Sequence, residues 1–335
     1  MSNATIKQVA AEAGVSTATV SRVLNNSGFV SDLVKKRVLD VVNRLNYQPS
    51  AIARSLKQDK TFMIGIIVPD ISNSYFMGIS RGIEDVVGQE GFQLLFCSSD
   101  DNSVKENRLL LLLQEKRVDA IVLATSGGND HTIKWLTDSG LPIVLVDRKL
   151  ETIETGRMLD LVAEDNADGA NRLTSKLLDE GHVRIGVVNG PSRVSTGSER
   201  YEGVLQAMQQ HGLEPNPIVY NGDFSTDDGI KAVRMFLEAE PRPTAIVSLN
   251  NRMSLGVLLE IVRSGLRIPD DIAIASFGEV EAGSLLSNPG LYYIDQHPYE
   301  MGKVAGDILL RRIRKEEKNG EPAFEIFRNE IKQVI

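Results

Sequence analysis

The chain has 335 residues, 42% hydrophobic and 24% charged, with a net charge of −8 and a single cysteine, Cys97. That length exceeds one compact core and calls for two or three domains. One cysteine excludes an intrachain disulfide, and the sequence lacks the roughly 18-residue apolar run that a membrane helix needs. Met1 to Ala4 leads directly into a helix-like stretch, leaving no room for a signal peptide, so a cytoplasmic protein is expected.

Residues 5 to 57 read as three short helices, a proline break and a weak fourth helix. Thr5 can cap the first helix, with Gln8 at capping-box spacing. Ile6, Val9, Ala10 and Ala13 share one face, and Gly14 supplies the tight stop. Ser16 caps a second helix with Val20, Val23 and Leu24 inward. Helix, glycine turn and helix at this spacing make a helix-turn-helix. Ser31 and Asp32 open a third helix whose expected apolar positions are Leu33, Val34, Val38, Leu39, Val42 and Leu45.

The second helix turns Thr17, Ala18, Thr19, Ser21, Arg22 and Asn25 outward. Short hydroxyls and a methyl allow close approach to a major-groove floor, and Arg22 can reach guanine O6 and N7. Lys35, Lys36, Arg37 and Arg44 suit flanking phosphates. Residues 1–60 hold nine Lys and Arg against four Asp and Glu, a balance of +5, which leaves −13 on the rest. A basic head on an acidic body points to double-stranded DNA contacted by the head alone.

The runs Ile6–Ala10, Gly14–Ser16, Thr19–Asn25, Leu45-Asn46-Tyr47-Gln48-Pro49 and Ala51–Leu56 resemble the LacI/GalR family of bacterial repressors. The resemblance implies a homodimer on a near-palindromic operator. It adds Tyr47, Ala53 and Leu56 to the DNA-binding set with Thr5, Ser16, Thr17, Ala18, Thr19, Ser21, Arg22 and Asn25. It also implies that 49–60 folds into a hinge helix on DNA, with Leu56 wedged into the minor groove.

Beyond the polar Gln58–Thr61 boundary, Met63–Val68 is a continuous apolar run typical of a strand buried on both faces. Strand-like stretches Gln93–Cys97, Ala120–Ala124 and Ile143–Val146 alternate with helix-like Tyr75–Glu90, Ser103–Lys116 and His131–Asp138, which means βαβ units. The pattern then repeats: Ile185-Gly186-Val187-Val188 echoes Ile64-Gly65-Ile66-Ile67, and Ala245-Ile246-Val247 echoes Ala120-Ile121-Val122. The expected architecture is α/β: a helix-turn-helix head (4–48), a hinge (49–60), and a two-lobed core (61–335) of parallel sheets flanked by helices. That core is similar to periplasmic binding proteins. The expected lobes are about 62–162 with 293–322, and 163–292 with 323–335. The resemblance also implies that the chain crosses back after Tyr292 for a helix over Tyr299–Lys315, then returns for a last strand near Phe324–Ile331.

Ligands in such sheets sit beyond the carboxyl ends of the strands. Tyr75, Phe76, Ser126, Asp147, Arg148, Arg193, Thr196, Arg200, Asn250, Asn251 and Glu279 fall there and form the candidate effector site. The resemblance implies a small sugar or sugar phosphate as effector. Gly278 and Asn251 stand where many relatives carry Asp, and Val146-Asp147-Arg148 and Phe277-Gly278-Glu279 look like the fructose-repressor branch. With carboxylates removed and arginines kept, a phosphorylated sugar is the expected effector. No P-loop, HExxH, CxxC or metal-spaced histidines occur, so neither catalysis, cofactor nor metal is expected.

Overall fold

The computed structural model describes residues 4–25, 27–47, 60–150, 159–285, 290–316 and 321–334. Two units divide the chain at Thr61.

The first unit holds α1 (Ile6–Ala13), α2 (Thr17–Leu24) and α3 (Asp32–Arg44). Thr5 and Gln8 make the expected capping box, and Gly14 ends α1 at φ 62°. Val9, Ala10, Ala13, Val20, Val23, Val38 and Val41 form the core. Two expectations for α3 fail. Leu33 and Leu39 face solvent, and Val41 takes the buried place. Val34, Val38, Val41, Val42 and Leu45 follow the spacing of one helical stripe, and 33 and 39 fall beside it.

The second unit contains two six-stranded sheets. The first is built from β1 (Met63–Val68), β2 (Gln93–Ser98), β3 (Ala120–Leu123), β4 (Ile143–Val146) and β5 (Asp160–Glu164). Helices α4 (Ser74–Val87), α5 (Ser103–Glu115) and α6 (Asp130–Asp138) connect its early strands. The second sheet is built from β6 (Ile185–Asn189), β7 (Ile218–Asn221), β8 (Ala245–Ser248), β9 (Ala273–Ser276) and β10 (Leu291–Asp295). Its helices are α7 (Asn166–Asp179), α8 (Ser195–Gln210), α9 (Thr226–Glu238) and α10 (Asn251–Arg263). The chain then returns to the first lobe through α11 (Pro298–Arg314).

The last segment differs from expectation. It is two strands, not one: β11 (Phe324–Phe327) joins the first sheet beside β5, and β12 (Glu330–Gln333) joins the second beside β10. The strand orders are β11-β5-β4-β3-β1-β2 and β12-β10-β9-β8-β6-β7. All pairings are parallel except β12 with β10. The lobes are therefore connected by three crossings: after Glu164, after Asp295 and after Phe327. Each sheet is sandwiched between two apolar layers.

Helices α4 and α11 pack backbone to backbone. A Cβ on Gly302 would lie 2.0 Å from Ile79 O, and one on Gly82 2.1 Å from Tyr299 O. Gly302→Ala gains about 1 kcal/mol of helix propensity, yet the overlap is with backbone that cannot rotate away. Separation of the helices outweighs that gain, and we expect a net loss of about 1–3 kcal/mol, read as a lower urea midpoint.

Candidate functional sites: a helix-turn-helix head and an interlobe cavity

On the head, Thr17, Ala18, Arg22 and Asn25 are exposed on α2, and Ser21 is half-buried. Ser16 and Thr19 are occupied within the head itself. Thr19 N–H donates to Ser16 Oγ at 3.1 Å, capping the helix. Thr5 is likewise held in its capping box. Tyr47 packs against the head core. Lys35, Lys36 and Arg37 are exposed on α3. Arg44 does not join that set, because it pairs with Glu12 on α1. Ala53 and Leu56 lie outside the described residues.

In the core, the carboxyl ends of the two sheets enclose a cavity of about 500 Å³. Of the expected residues, Tyr75, Phe76, Asp147, Arg148, Thr196, Arg200, Asn250 and Asn251 line it. Three do not. Ser126 is buried behind the wall, 3.0 Å from Ser99 Oγ and donating its N–H to Glu106. Arg193 pairs with Asp223 at 3.2 Å and borders a smaller neighbouring cavity with Lys149 and Gly128. Glu279 is exposed, and it helps to raise the Tyr293 hydroxyl.

Sequence reading missed Asp100, Asp101, residues 223–227 and Gln296 of the lining. Asp223, Phe224 and Ser225 follow β7, a four-residue, half-buried edge strand between Pro217 and Gly222 that was not among the expected strands. The legible signal there was the Ser225–Asp228 capping box. Asp101 and Gln296 also line the cavity.

The site's arginines are already engaged. Arg148, buried, grips both carboxylate oxygens of Asp101 and donates to Thr125 O at 3.0 Å. Its guanidinium lies 5.3 Å from the Phe224 ring centre. Arg200 stacks on Phe277 at 3.8 Å and donates to Asn166 Oδ1 at 2.8 Å and Leu249 O at 2.9 Å. Its remaining Nη2 is 3.8 Å from Asp147 and 3.9 Å from Glu164. Tyr75 donates its hydroxyl to Asp147 at 3.1 Å. Burial raises Asp147, against the pull of Arg200 and Arg148. Burial, then Asp147 and Glu164, hold the Tyr75 hydroxyl well above its ordinary value.

Four helices begin at the cavity. Asn73, Ser225 and Asn250 cap α4, α9 and α10 with their own side chains. The start of α8 has no side-chain cap, and the Thr196 hydroxyl there is buried without a hydrogen-bond partner. Across the mouth, Asn73 and Asn251 exchange amide hydrogen bonds at 3.3 and 3.0 Å, joining the lobes. An uncapped helix start, an unpaired hydroxyl and carboxylates at hand make a good cradle for ligand hydroxyls.

Residues 5–50 match the family described as bacterial regulatory proteins, lacI family. Residues 61–326 match the periplasmic binding proteins and sugar binding domain of the LacI family. The chain belongs to the LacI family. It is similar to the HTH-type transcriptional repressor PurR of Aliivibrio salmonicida (36% identity, covering 93% of this chain and 92% of the relative). It is equally similar to the ribose operon repressor of Halalkalibacterium halodurans (36%, 93% and 91%). Among solved structures, a transcriptional regulator CelR–cellobiose complex superposes with a TM-score of 0.73 at 27% identity, covering 99% of both chains. The protein is thus a DNA-binding transcriptional repressor that responds to a small metabolite.

Among the described residues no helix is long and apolar enough to cross a membrane, and no cluster of His, Cys, Asp or Glu is placed to hold a metal.

Arg148 depends on Asp101 for its charge balance. Asp101→Ala leaves a buried guanidinium with only a backbone carbonyl and a more distant Asp147, so it should destabilise the core by about 3 kcal/mol. Denaturant unfolding of the variant measures this directly.

Proposed function

We propose that this repressor answers to an uncharged, polyhydroxylated effector, a sugar and not a sugar phosphate, and that it controls carbohydrate-use genes. The observation that carries the reading is the cavity's charge. Asp70, Asp100, Asp101, Asp147, Asp223 and Asp227 line it against Arg148, Arg200 and Arg252; Lys105 and Arg193 outside the lining pair with Asp100 and Asp223 and leave a small negative excess, and the two buried arginines already have acidic partners. A phosphate brought there adds charge to a net-negative surface, whereas hydroxyls can donate to aspartates and accept from Arg200 Nη2 and Thr196. The sequence preference for a phosphorylated effector rested on the carboxylates lost at 278 and 251, on the retained Arg148, Arg193 and Arg200, and on the fructose-repressor-like runs. It left out the five carboxylates supplied by Asp70, Asp100, Asp101, Asp223 and Asp227.

We further propose that α2 enters the major groove with Thr17, Ala18, Ser21, Arg22 and Asn25 toward the bases. Lys35, Lys36 and Arg37 meet phosphates, and the hinge segment places Ala53 and Leu56 in the minor groove. Two heads are needed, because one eight-residue helix reads few base pairs. The second copy of the chain docks on exposed apolar side chains. Edge strand β2 and α5 offer Phe96, Val104, Leu111 and Leu112, and α10 offers Leu259 and Val262.

Calorimetry with matched pairs tests the effector: cellobiose and ribose against their phosphates, in the wild type and in Asp101→Asn. Wild type should prefer the free sugar, and Asp101→Asn, which frees the Arg148 fork, should shift the ratio toward the phosphate by about tenfold, the loss of one charged partner. Tighter binding of the phosphate by the wild type sinks the reading. On the DNA side, Arg22→Ala should cost about 1–3 kcal/mol of preference for operator over random sequence. Lys36→Ala should instead weaken both and lower the salt slope. Fluorescence anisotropy on operator and scrambled duplexes separates the two effects.

A further inference from the structure

Each of the three interlobe crossings contributes a side chain to one buried point. Glu164 ends β5 on the first crossing, Gln296 follows β10 on the second, and Asn329 separates β11 from β12 on the third. Gln296 Nε2 donates to Glu164 Oε2 at 2.6 Å, and the Asn329 side chain is within hydrogen-bonding reach of the same carboxyl. Glu164 is 1% exposed and Asn329 6%. Two oxygens there have no hydrogen-bond partner, Glu164 Oε1 and Asn329 Oδ1. While the carboxyl is ionised both atoms are acceptors, and neither can serve the other. Unpaired buried acceptors are costly. The Asn329 amide already serves the ionised carboxyl as a donor; a proton on Glu164 Oε1 would make that oxygen a donor too, and Asn329 Oδ1 is a buried acceptor with no other partner.

The surroundings agree. Arg200, from α8, is 3.9 Å from Glu164 but must also serve Asp147, at the end of β4, at 3.8 Å. Tyr75, from α4, is neutral and donates to Asp147. The other ionic groups on the crossings are committed or solvated: Asp165 pairs with Arg328 at 3.6 Å, Asp295 pairs with Lys332, and His297 is exposed. Arg200 is therefore shared between two buried carboxylates, and the other cation there, Arg148, lies 3.7 Å from Asp147 but is held bidentate by Asp101. Burial pushes Glu164 up from its ordinary 4.5 to about 7, opposed by Arg200, Gln296 and Asn329 and assisted by Asp147.

We propose that Glu164 is a protonated hinge residue whose Oε1–H donates to Asn329 Oδ1, pins the three crossings together, and makes the movement of the lobes proton-linked. Separation of the crossings readmits water to the carboxyl, which then ionises and releases its proton to solvent. The sign follows from linkage. The group binds protons more tightly in the arrangement seen here, so its contribution to that arrangement is complete below its ordinary value of 4.5 and is lost as pH rises through about 7. Effector binding that favours this arrangement takes up a proton below neutrality and weakens toward alkaline pH, whatever the effector's identity.

The test uses the full-length protein without effector. Infrared spectroscopy of the wild type should show a protonated-carboxyl stretch that disappears with a midpoint near 7 and is missing from Glu164→Gln. Hydrogen exchange in peptides spanning the crossings, corrected for intrinsic rates, should lose about tenfold of protection between about pH 6 and 8.5 in the wild type. Glu164→Gln, whose amide can still donate to Asn329, should keep its protection flat across that range. Gln296→Leu, which removes a donor to the ionised form, should move the midpoint higher and serves as a second variant. A carboxyl band that titrates below about pH 5, or an exchange profile shared by wild type and Glu164→Gln, overturns the proposal.

Discussion

Three chain crossings between two parallel sheets fix almost everything else about the core. Because every strand except β12 runs parallel to its sheet neighbours, the carboxyl ends of each sheet collect on one edge. The crossings leave from Glu164, Asp295 and Phe327, all at strand ends. The two edges must therefore face each other, and the helices that follow the strands begin at the gap. Side-chain caps on three of those helices leave α8 as the one with open N–H groups at the cavity among the described helices. Ligand chemistry is thereby concentrated at Thr196 and Arg200, both in the first two turns of α8.

The ionic groups at this gap follow from the same constraint. Asp147 and Glu164 end adjacent strands of one lobe, and Arg200 reaches them from the other. Removing such groups from water is expensive unless each finds a partner. The protein solves this for Arg148 with a bidentate carboxylate and for Arg200 with a ring stack, an amide and a carbonyl. What remains without a hydrogen-bond partner is Arg148 Nε and Glu164 Oε1. Pre-paired arginines are poor traps for a phosphate, since an incoming anion has to displace a carboxylate that is tethered and already oriented. They are good rigid scaffolds for hydroxyls, which need only a lone pair or a proton at a fixed place.

The sequence made some of this legible and hid the rest for identifiable reasons. The head was readable because capping chemistry is local: Thr5 with Gln8, Ser16 with Thr19, and Gly14 are all decided within a few residues. Leu33 and Leu39 misled because hydrophobicity alone does not select a face. Buried strands announced themselves by continuous apolar runs, so most strand-end loops were found. Edge strand β7, half-buried and only four residues long, did not, and with it went Asp223 and Phe224. The charge balance at the cavity was hidden for a deeper reason. Arg148 meets Asp101 across 47 positions of chain and Arg200 meets Glu164 across 36, and nothing in either local stretch announces such a partner. Likewise the last segment gave one strand's worth of pattern and supplied two, because Arg328 and Asn329 pass between sheets without a composition break.

The single covalent link between the two units also constrains how an effector acts on DNA. The chain leaves the head after Tyr47 and enters the core at Phe62, just before β1 of the first lobe. No other covalent path joins α2 to the cavity. In a single copy, rotation of the second lobe against the first leaves that link where it was on the first lobe. In a pair whose copies touch through both lobes, the same rotation alters the separation of the two first lobes, and so of the two links. The β2–α5 face lies on the lobe that carries the link, and the α10 face on the lobe that moves against it. Apolar side chains exposed on both supply the arrangement this coupling requires. The charge distribution adds a second term: a core at −13 is repelled by the phosphates that attract a head at +5. Positive charge is thus concentrated in residues 1–60, ahead of the link into the core.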